Sequence, residues 1–168
     1  KGLDKELEGE SRDGHFDGVV RVLNLFFSLI KPKFTFFGEK DYQQLLVVQQ
    51  LAHQHFKNIN IVSCPTIREL NGLAMSSRNK RLSDKERNTA SGIYKTLKHC
   101  QDRFNFEKIR DLESRYCNLL AEFSDLEYFE IRDAENLSKK GTNKTKWRAF
   151  VATKIAGVRL IDNIALNY

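Results

Sequence analysis

Phe34-Thr35-Phe36-Phe37-Gly38-Glu39-Lys40-Asp41-Tyr42-Gln43-Gln44-Leu45 is the stretch on which the fold turns. Its opening apolar run is too short for a helix and lacks clean alternation, so it reads as a strand covered on both faces, as parallel strands are. Gly38 to Asp41 breaks the run. Residues 42–56 then read as a helix with Leu45, Leu46, Val48, Leu51 and Ala52 inward. Ile59 to Cys64, Asn60 apart, is a second apolar, β-branched run that stops at Pro65. Two strands joined by one helix make a parallel βαβ unit with a right-handed crossover. Both strands therefore end at one edge, where open parallel sheets take their ligands. The loop at 38–41 and the loop beginning near Thr66 are expected to face one crevice.

Upstream, apolar residues at 16, 19, 20, 22, 23, 26, 27 and 30 recur at helical spacing, and Pro32 stops the pattern. They predict a largely buried helix over 16–30. Downstream the character changes. A polar loop at 67–82 leads to Ser83-Asp84-Lys85-Glu86, a capping box opening a helix to about Arg103. Residues 107–123 read as another helix, and 126–131, 147–155 and 157–164 as strands around a Lys/Gly/Asn/Thr turn region at 138–146. Helices followed by strands mean α+β. The expected division is a partial Rossmann-like α/β domain at 1–66 and a small α+β domain at 67–168.

With 168 residues, 40% apolar and 30% charged, the chain is long and apolar enough for a real core, which excludes a disordered polymer. The most apolar stretch, Val19 to Ile30, is interrupted by Arg21, Asn24 and Ser28 and is shorter than the roughly 20 residues a bilayer requires, so no membrane span is expected. Three cysteines without CxxC spacing indicate neither a disulfide framework nor a zinc site, and a reducing cytoplasm is the expected setting. His53 and His55, two apart on a helix, point to different faces, so no metal site is read there. The net charge of +6 lies entirely in the second part, since residues 1–66 carry 8 basic and 8 acidic side chains. Lys139, Lys140, Lys144 and Lys146 lack interleaved aromatics, which favours a solvated hairpin tip over a nucleic-acid platform. The chain opens with Lys and its only Met is Met75, so a piece of a longer polypeptide is expected.

Two segments carry candidate chemistry. Gly38-Glu39-Lys40-Asp41 follows a strand and opens a helix: the glycine lets backbone approach a ligand, the helix start offers unpaired N–H groups, and Lys40 adds a point charge. A phosphate site and a plain turn are its two readings. Gly72-Leu73-Ala74-Met75-Ser76-Ser77-Arg78-Asn79 sets two hydroxyls and a guanidinium after a flexible glycine, in a loop not driven by burial. That suits a mobile loop closing on phosphate oxygens, each charge-assisted bond contributing roughly 1.5–3 kcal/mol. An ST-turn with a solvated arginine is the alternative. Arg12 and His15, near the start of the first helix, read as neighbours of an anion or, more simply, as a surface or capping histidine beside a solvated arginine, and Gln43 or Gln44 as holding a polar substrate or as ordinary exposed helix glutamines.

His15-Phe16-Asp17-Gly18-Val19, Phe37 to Leu45, Pro65-Thr66-Ile67-Arg68-Glu69 and Gly72 to Asn79, in this order and spacing, closely resemble the pantoate-β-alanine ligase family. Glu8-Gly9 with Ser11-Arg12, Tyr128 to Asp133 and Arg159 to Asn163 extend the likeness over nearly the whole chain. The resemblance implies the C-terminal part of a Rossmann-type nucleotidyltransferase domain followed by a small α+β lid domain with a three-stranded antiparallel sheet. It also implies a cytoplasmic enzyme that joins pantoate to β-alanine through a pantoyl adenylate, using ATP and Mg2+ and releasing AMP and pyrophosphate. By the same resemblance Gly38, Glu39, Lys40 and Asp41 contact ATP, Ile67 lies at the adenine end, and Met75, Ser76, Ser77 and Arg78 meet the triphosphate. Lys40, Ser76, Ser77 and Arg78 would be catalytic, and Gln44, with Arg12 and His15, would hold pantoate. Homodimers of the full-length protein are implied; nucleic acid and membrane partners are not. The family's early H-I-G-H-like element has no counterpart here, Asn71 stands where Asp is usual, and Arg81 stands where Tyr is common. The chain is therefore expected to be the C-terminal portion, unable to complete adenylation alone. A related nucleotidyltransferase acting on another carboxylic acid, and a non-catalytic phosphate- or RNA-binding module, are the alternatives.

Overall fold

The structure, a computed structural model, describes residues 2–105, 107–142 and 144–166. The chain divides into two compact units, Lys1–Pro65 and Thr66–Tyr168.

The first unit runs α1 (Glu8–Ser11), α2 (His15–Ile30), β1 (Phe34–Gly38), a 3-10 turn (Glu39–Asp41), α3 (Tyr42–His55) and β2 (Asn60–Cys64). β1 and β2 pair in parallel from Phe34↔Asn60 to Gly38↔Cys64, so their carboxyl ends are register partners. Phe27, Val48 and Leu51 form the core, packed by Val19, Val20, Leu23, Phe37, Phe56, Ile59 and Ile61. The Phe27 and Phe56 rings meet edge-on at 5.4 Å, a favoured quadrupolar arrangement. α2 stops where Lys31 turns left-handed (φ 48°) and donates its N–H to Phe27 O; Pro32 then has no N–H to continue the ladder.

Two expectations fail in this unit. β1 is not covered on both faces: Phe34 is 52% and Phe36 68% exposed. The pleat sends these two away from Phe37, which packs into the core with the helices. Nor is α2 largely buried. Phe16 and Phe27 are buried, whereas Val22, Leu25, Phe26, Leu29 and Ile30 are half exposed or more. The helix carries two apolar stripes, and only the one through Val20, Leu23 and Phe27 joins the core. Periodicity counts apolar positions and is blind to which stripe finds a partner.

The second unit is a small α+β fold with the order 3-10 turn (Ser77–Arg81), α4 (Asp84–Arg103), α5 (Ile109–Ala121), β3 (Asp125–Asp133), β4 (Trp147–Ile155) and β5 (Val158–Ala165). The strands form one antiparallel sheet in the order β3-β4-β5. Ile93 and Leu97 of α4 and Leu112, Tyr116 and Leu120 of α5 bury against Phe129, Ile131, Val151 and Leu160. At the head of α4 Ser83 Oγ accepts from Glu86 N, while Ser83 N donates to Glu86 Oε2 at 2.7 Å. The Ser83 N–H, and the Ser83 hydroxyl that donates to Oε2 at 2.8 Å, favour the carboxylate and hold Glu86 below its ordinary value. Ala156-Gly157, both at positive φ, turn β4 into β5, as the right-handed twist of a two-residue hairpin requires. The 138–146 turn region lies between β3 and β4, with Asn143 outside the described residues.

Side-chain truncation separates the covered from the uncovered surface. Leu97 is 0% and Leu29 71% exposed. Leu97→Ala is expected to destabilise the second unit by about 3 kcal/mol, and Leu29→Ala to change the first by no more than about 0.5 kcal/mol. Urea unfolding of both variants, followed by probes in each unit, measures this.

Candidate functional site

In the first unit the candidate residues gather at the carboxyl edge of the strands. Gly38 ends β1 in an extended conformation (φ −71°, ψ 136°), and the Glu39–Asp41 turn feeds directly into α3. A Cβ on Gly38 would meet nothing within 4 Å. Neither backbone strain nor packing demands glycine there, and the surface above it is open. The start of α3, continuous with this 3-10 turn, carries the positive end of the helix dipole. Lys40 is half-buried beside it and Asp41 exposed.

The adjacent glutamines have different duties. Gln43 is buried: its Nε2 donates to Leu3 O at 2.6 Å and Glu6 O at 2.7 Å, and its Oε1 accepts from Glu8 N at 3.1 Å. It ties the N-terminal segment to α3. Gln44 is left half-exposed on the first turn of the helix.

Arg12 and His15 lie in the same neighbourhood. Arg12 Nη1 is 3.9 Å from Glu8 Oε2, and His15 opens α2 after the left-handed Gly14. Burial, then the Arg12 guanidinium, push the His15 imidazole below its ordinary 6.5, while Glu8 and Asp41 pull the other way. His15 thus lies within electrostatic reach of Arg12, Glu8 and Asp41, the last from the turn after β1. Glu8, buried and acidic, completes this set; its place in the Glu8-Gly9 block was the available signal in the sequence.

In the second unit, the segment from Ile67 to Arg78 is braced. Arg68 and Ala74 form an antiparallel bridge, and Met75 N donates to Ile67 O at 2.9 Å. Ile67 and Met75 are therefore directly opposed, and both are apolar and exposed, at 67% and 56%. Ser76 caps the following turn, its Oγ accepting from Arg78 N at 3.2 Å, so the ST-turn reading describes its local bonding. Ser77 and Arg78 are exposed, and Arg78 Nη1 donates to Arg159 O at 3.3 Å. With Lys80 and Arg81, three basic residues fall in the five of this turn. A loop not driven by burial is corrected at its flanks: Leu73, Ala74, Asn79 and Leu82 are all buried. Asn79 Nδ2 donates to Glu69 Oε1 at 2.6 Å and to Ala74 O at 3.1 Å, and Arg87 Nε donates to Asn79 O. Sequence reasoning placed Arg68, Glu69, Asn79 and Asp162 inside its motif blocks without assigning them this anchoring role, and missed Tyr94.

Among the described residues no group of three or more His, Cys, Asp or Glu gathers as a metal cage. The residues fit Mg2+ as that ion usually binds, carried on nucleotide phosphates with at most one or two carboxylates; Asp41 and Glu39 are the carboxylates beside the candidate phosphate turn. Cys100 supplies no nucleophile, because burial pushes its thiol up to about 12.

Comparison with known proteins places this geometry. The sequence model described as pantoate-beta-alanine ligase matches residues 1–165. Pantothenate synthetase of Flavobacterium psychrophilum is 41% identical over 171 residues, covering 99% of this chain and 60% of that protein. The Christiangramia forsetii pantothenate synthetase is 43% identical over 173 residues, with coverage of 99% and 60%. A crystal structure of the Thermus thermophilus enzyme superposes with a TM-score of 0.92 at 33% identity, covering 100% of this chain and 62% of that one. The Francisella tularensis pantoate-beta-alanine ligase, solved in complex with beta-gamma ATP and beta-alanine, gives 0.73 at 34% identity, covering 99% and 56%. The chain thus spans about three-fifths of the length of the curated relatives it matches. Its α/β first unit, its antiparallel α+β second unit and the match over residues 1–165 make it a member of the pantoate-β-alanine ligase family.

Proposed function

We propose that the full polypeptide condenses pantoate with β-alanine at the expense of ATP. A pantoate carboxylate oxygen attacks the α-phosphorus, forming an acyl–O–P bond while the bond to pyrophosphate breaks. The β-alanine amine then attacks the acyl carbon, AMP leaves, and the amine loses a proton. The observation that carries this reading is the braced segment of the second unit, where an exposed apolar pair precedes two hydroxyls and a basic turn. Ile67 and Met75 offer a surface for adenine, and Ser76, Ser77 and Arg78 offer donors for phosphate oxygens. Gly38, Glu39, Lys40 and Asp41 are proposed nucleotide contacts as well, with Lys40 offsetting phosphate charge. Lys40, Ser76, Ser77 and Arg78 act on the reaction by stabilising charge as it moves toward pyrophosphate. Gln44, Arg12 and His15 hold pantoate. Mg2+, borne by ATP, would neutralise phosphate charge. The proposed setting is the cytoplasm and the full-length state a homodimer, with nucleic acid not a partner. The 168-residue chain, at three-fifths of its relatives' length, is proposed to bind nucleotide without completing adenylation, and pantothenate made by it alone would refute that part.

ATP calorimetry on this chain tests the site. Losing one charge-assisted contact corresponds to about 10- to 100-fold weaker binding, which is expected for Lys40→Ala and for Arg78→Ala. Unchanged affinity in either folded variant removes that residue from the site. In the full-length enzyme, pyrophosphate exchange should depend on pantoate; exchange driven instead by another acid identifies a different ligase.

His15 supplies a pH readout. With its folded value below 6.5, the unfolded chain binds the proton more readily. Its contribution to stability is complete above 6.5 and fades as pH falls through the lowered value. Arg12→Gln removes a cause of the depression and should raise the His15 midpoint, Glu8→Gln should lower it further, and saturating pantoate, an anion, should raise it. NMR titration of the imidazole protons measures all three.

A further inference from the structure

Arg68 belongs to the matched motif, yet it faces away from the exposed surface of its segment. Its side chain crosses to β5, where Nη1 and Nη2 grip Asp162 Oδ2 and Oδ1 at 2.6 and 3.0 Å. The Asp162 side chain is 3% exposed. The guanidinium also stands 3.8 Å from the centroid of the Tyr94 ring, and Nη1 donates to Gly72 O at 3.1 Å. Gly72 is at φ 93°, and a Cβ there would stand 2.6 Å from Tyr94 Cδ1; only glycine lets the turn lie against the ring that receives Arg68.

Alternation across the Arg68↔Ala74 bridge gives this clamp its consequence. With Arg68 and Ala74 held inward, Ile67 and Met75 must face outward. A slip by one residue would reverse all four. We propose that Arg68 is a positioning residue, whose grip on Asp162 and Tyr94 fixes the register in which Ile67, Met75 and Ser76 to Arg78 are presented to nucleotide. The proposal rests on the nucleotide reading above and assigns to it residues that make no contact with the ligand.

The test pairs amide hydrogen exchange with ATP calorimetry on the 168-residue chain. Arg68→Lys keeps the charge and loses the two-pronged, stacked contact; Tyr94→Leu removes only the ring and serves should Asp162→Asn fail to fold. The expected result is exchange about tenfold or more faster at the Met75 amide, with the Leu120 amide of α5 unchanged, because the segment opens locally. ATP affinity should fall about tenfold in the same variants. A merely structural role would accelerate Met75 and Leu120 together. Uniform acceleration, an unchanged Met75 amide, or a loosened segment that still binds ATP as wild type does would each overturn the proposal. A wild-type chain that takes no ATP while its Met75 amide responds as expected fails the nucleotide reading and leaves the register role standing.

Discussion

The parallel register of β1 and β2 is the constraint on which the first unit depends. Pairing Gly38 with Cys64 makes one edge of the sheet the place where the chain leaves both strands. A right-handed crossover through α3 is the connection that achieves this with one helix. The helix is held by Val48 and Leu51 in the core and by Gln43, which fastens the N-terminal segment onto its first turn. The N–H groups at the head of α3 are thereby set beside Gly38, and Gln44 is left at the surface. Gln43 and Gln44 look equivalent in sequence, and the step of about 100° between neighbours on a helix buries one and leaves the other half-exposed.

Legibility followed the range of each interaction. The Ser83–Glu86 capping box is local, spans four residues, and could be read letter by letter. The βαβ order was readable because α3 is strongly apolar, with Leu45 to Val48, Leu51 and Ala52 all buried, and the two short runs flanking it are bounded by Gly38 and Pro65. α2 misled because its two apolar stripes are identical in kind and only contacts from elsewhere decide which one is covered. β1 misled for the same reason, since a Phe-rich run says nothing about how many layers surround it. The Arg68–Asp162 pair joins residues 94 apart, and no local pattern marks either as the other's partner. The resemblance located the candidate site's blocks, while the buried flanks and anchors that fix its second half needed coordinates.

Two arginines of the same segment show how geometry sorts structural from presented charge. Arg68 makes two charge-assisted bonds to a buried carboxylate and stacks on Tyr94. Withdrawing it would break its pair with a buried carboxylate, a loss of about 3–5 kcal/mol. No phosphate contact, at roughly 1.5–3 kcal/mol, would recruit it. Arg78 is exposed and makes a 3.3 Å bond to the neutral Arg159 carbonyl. Exchanging that bond for a phosphate oxygen replaces a neutral acceptor by a charged one and leaves behind no buried ion, so the exchange favours the ligand. Ser76 is intermediate, because its hydroxyl accepts from Arg78 N and can still donate its own proton outward. In the proposed site the segment therefore meets an anion with Arg78 and a hydroxyl proton while Arg68 stays in place, and by the same proposal the strength of the inward pair keeps the outward residues in register.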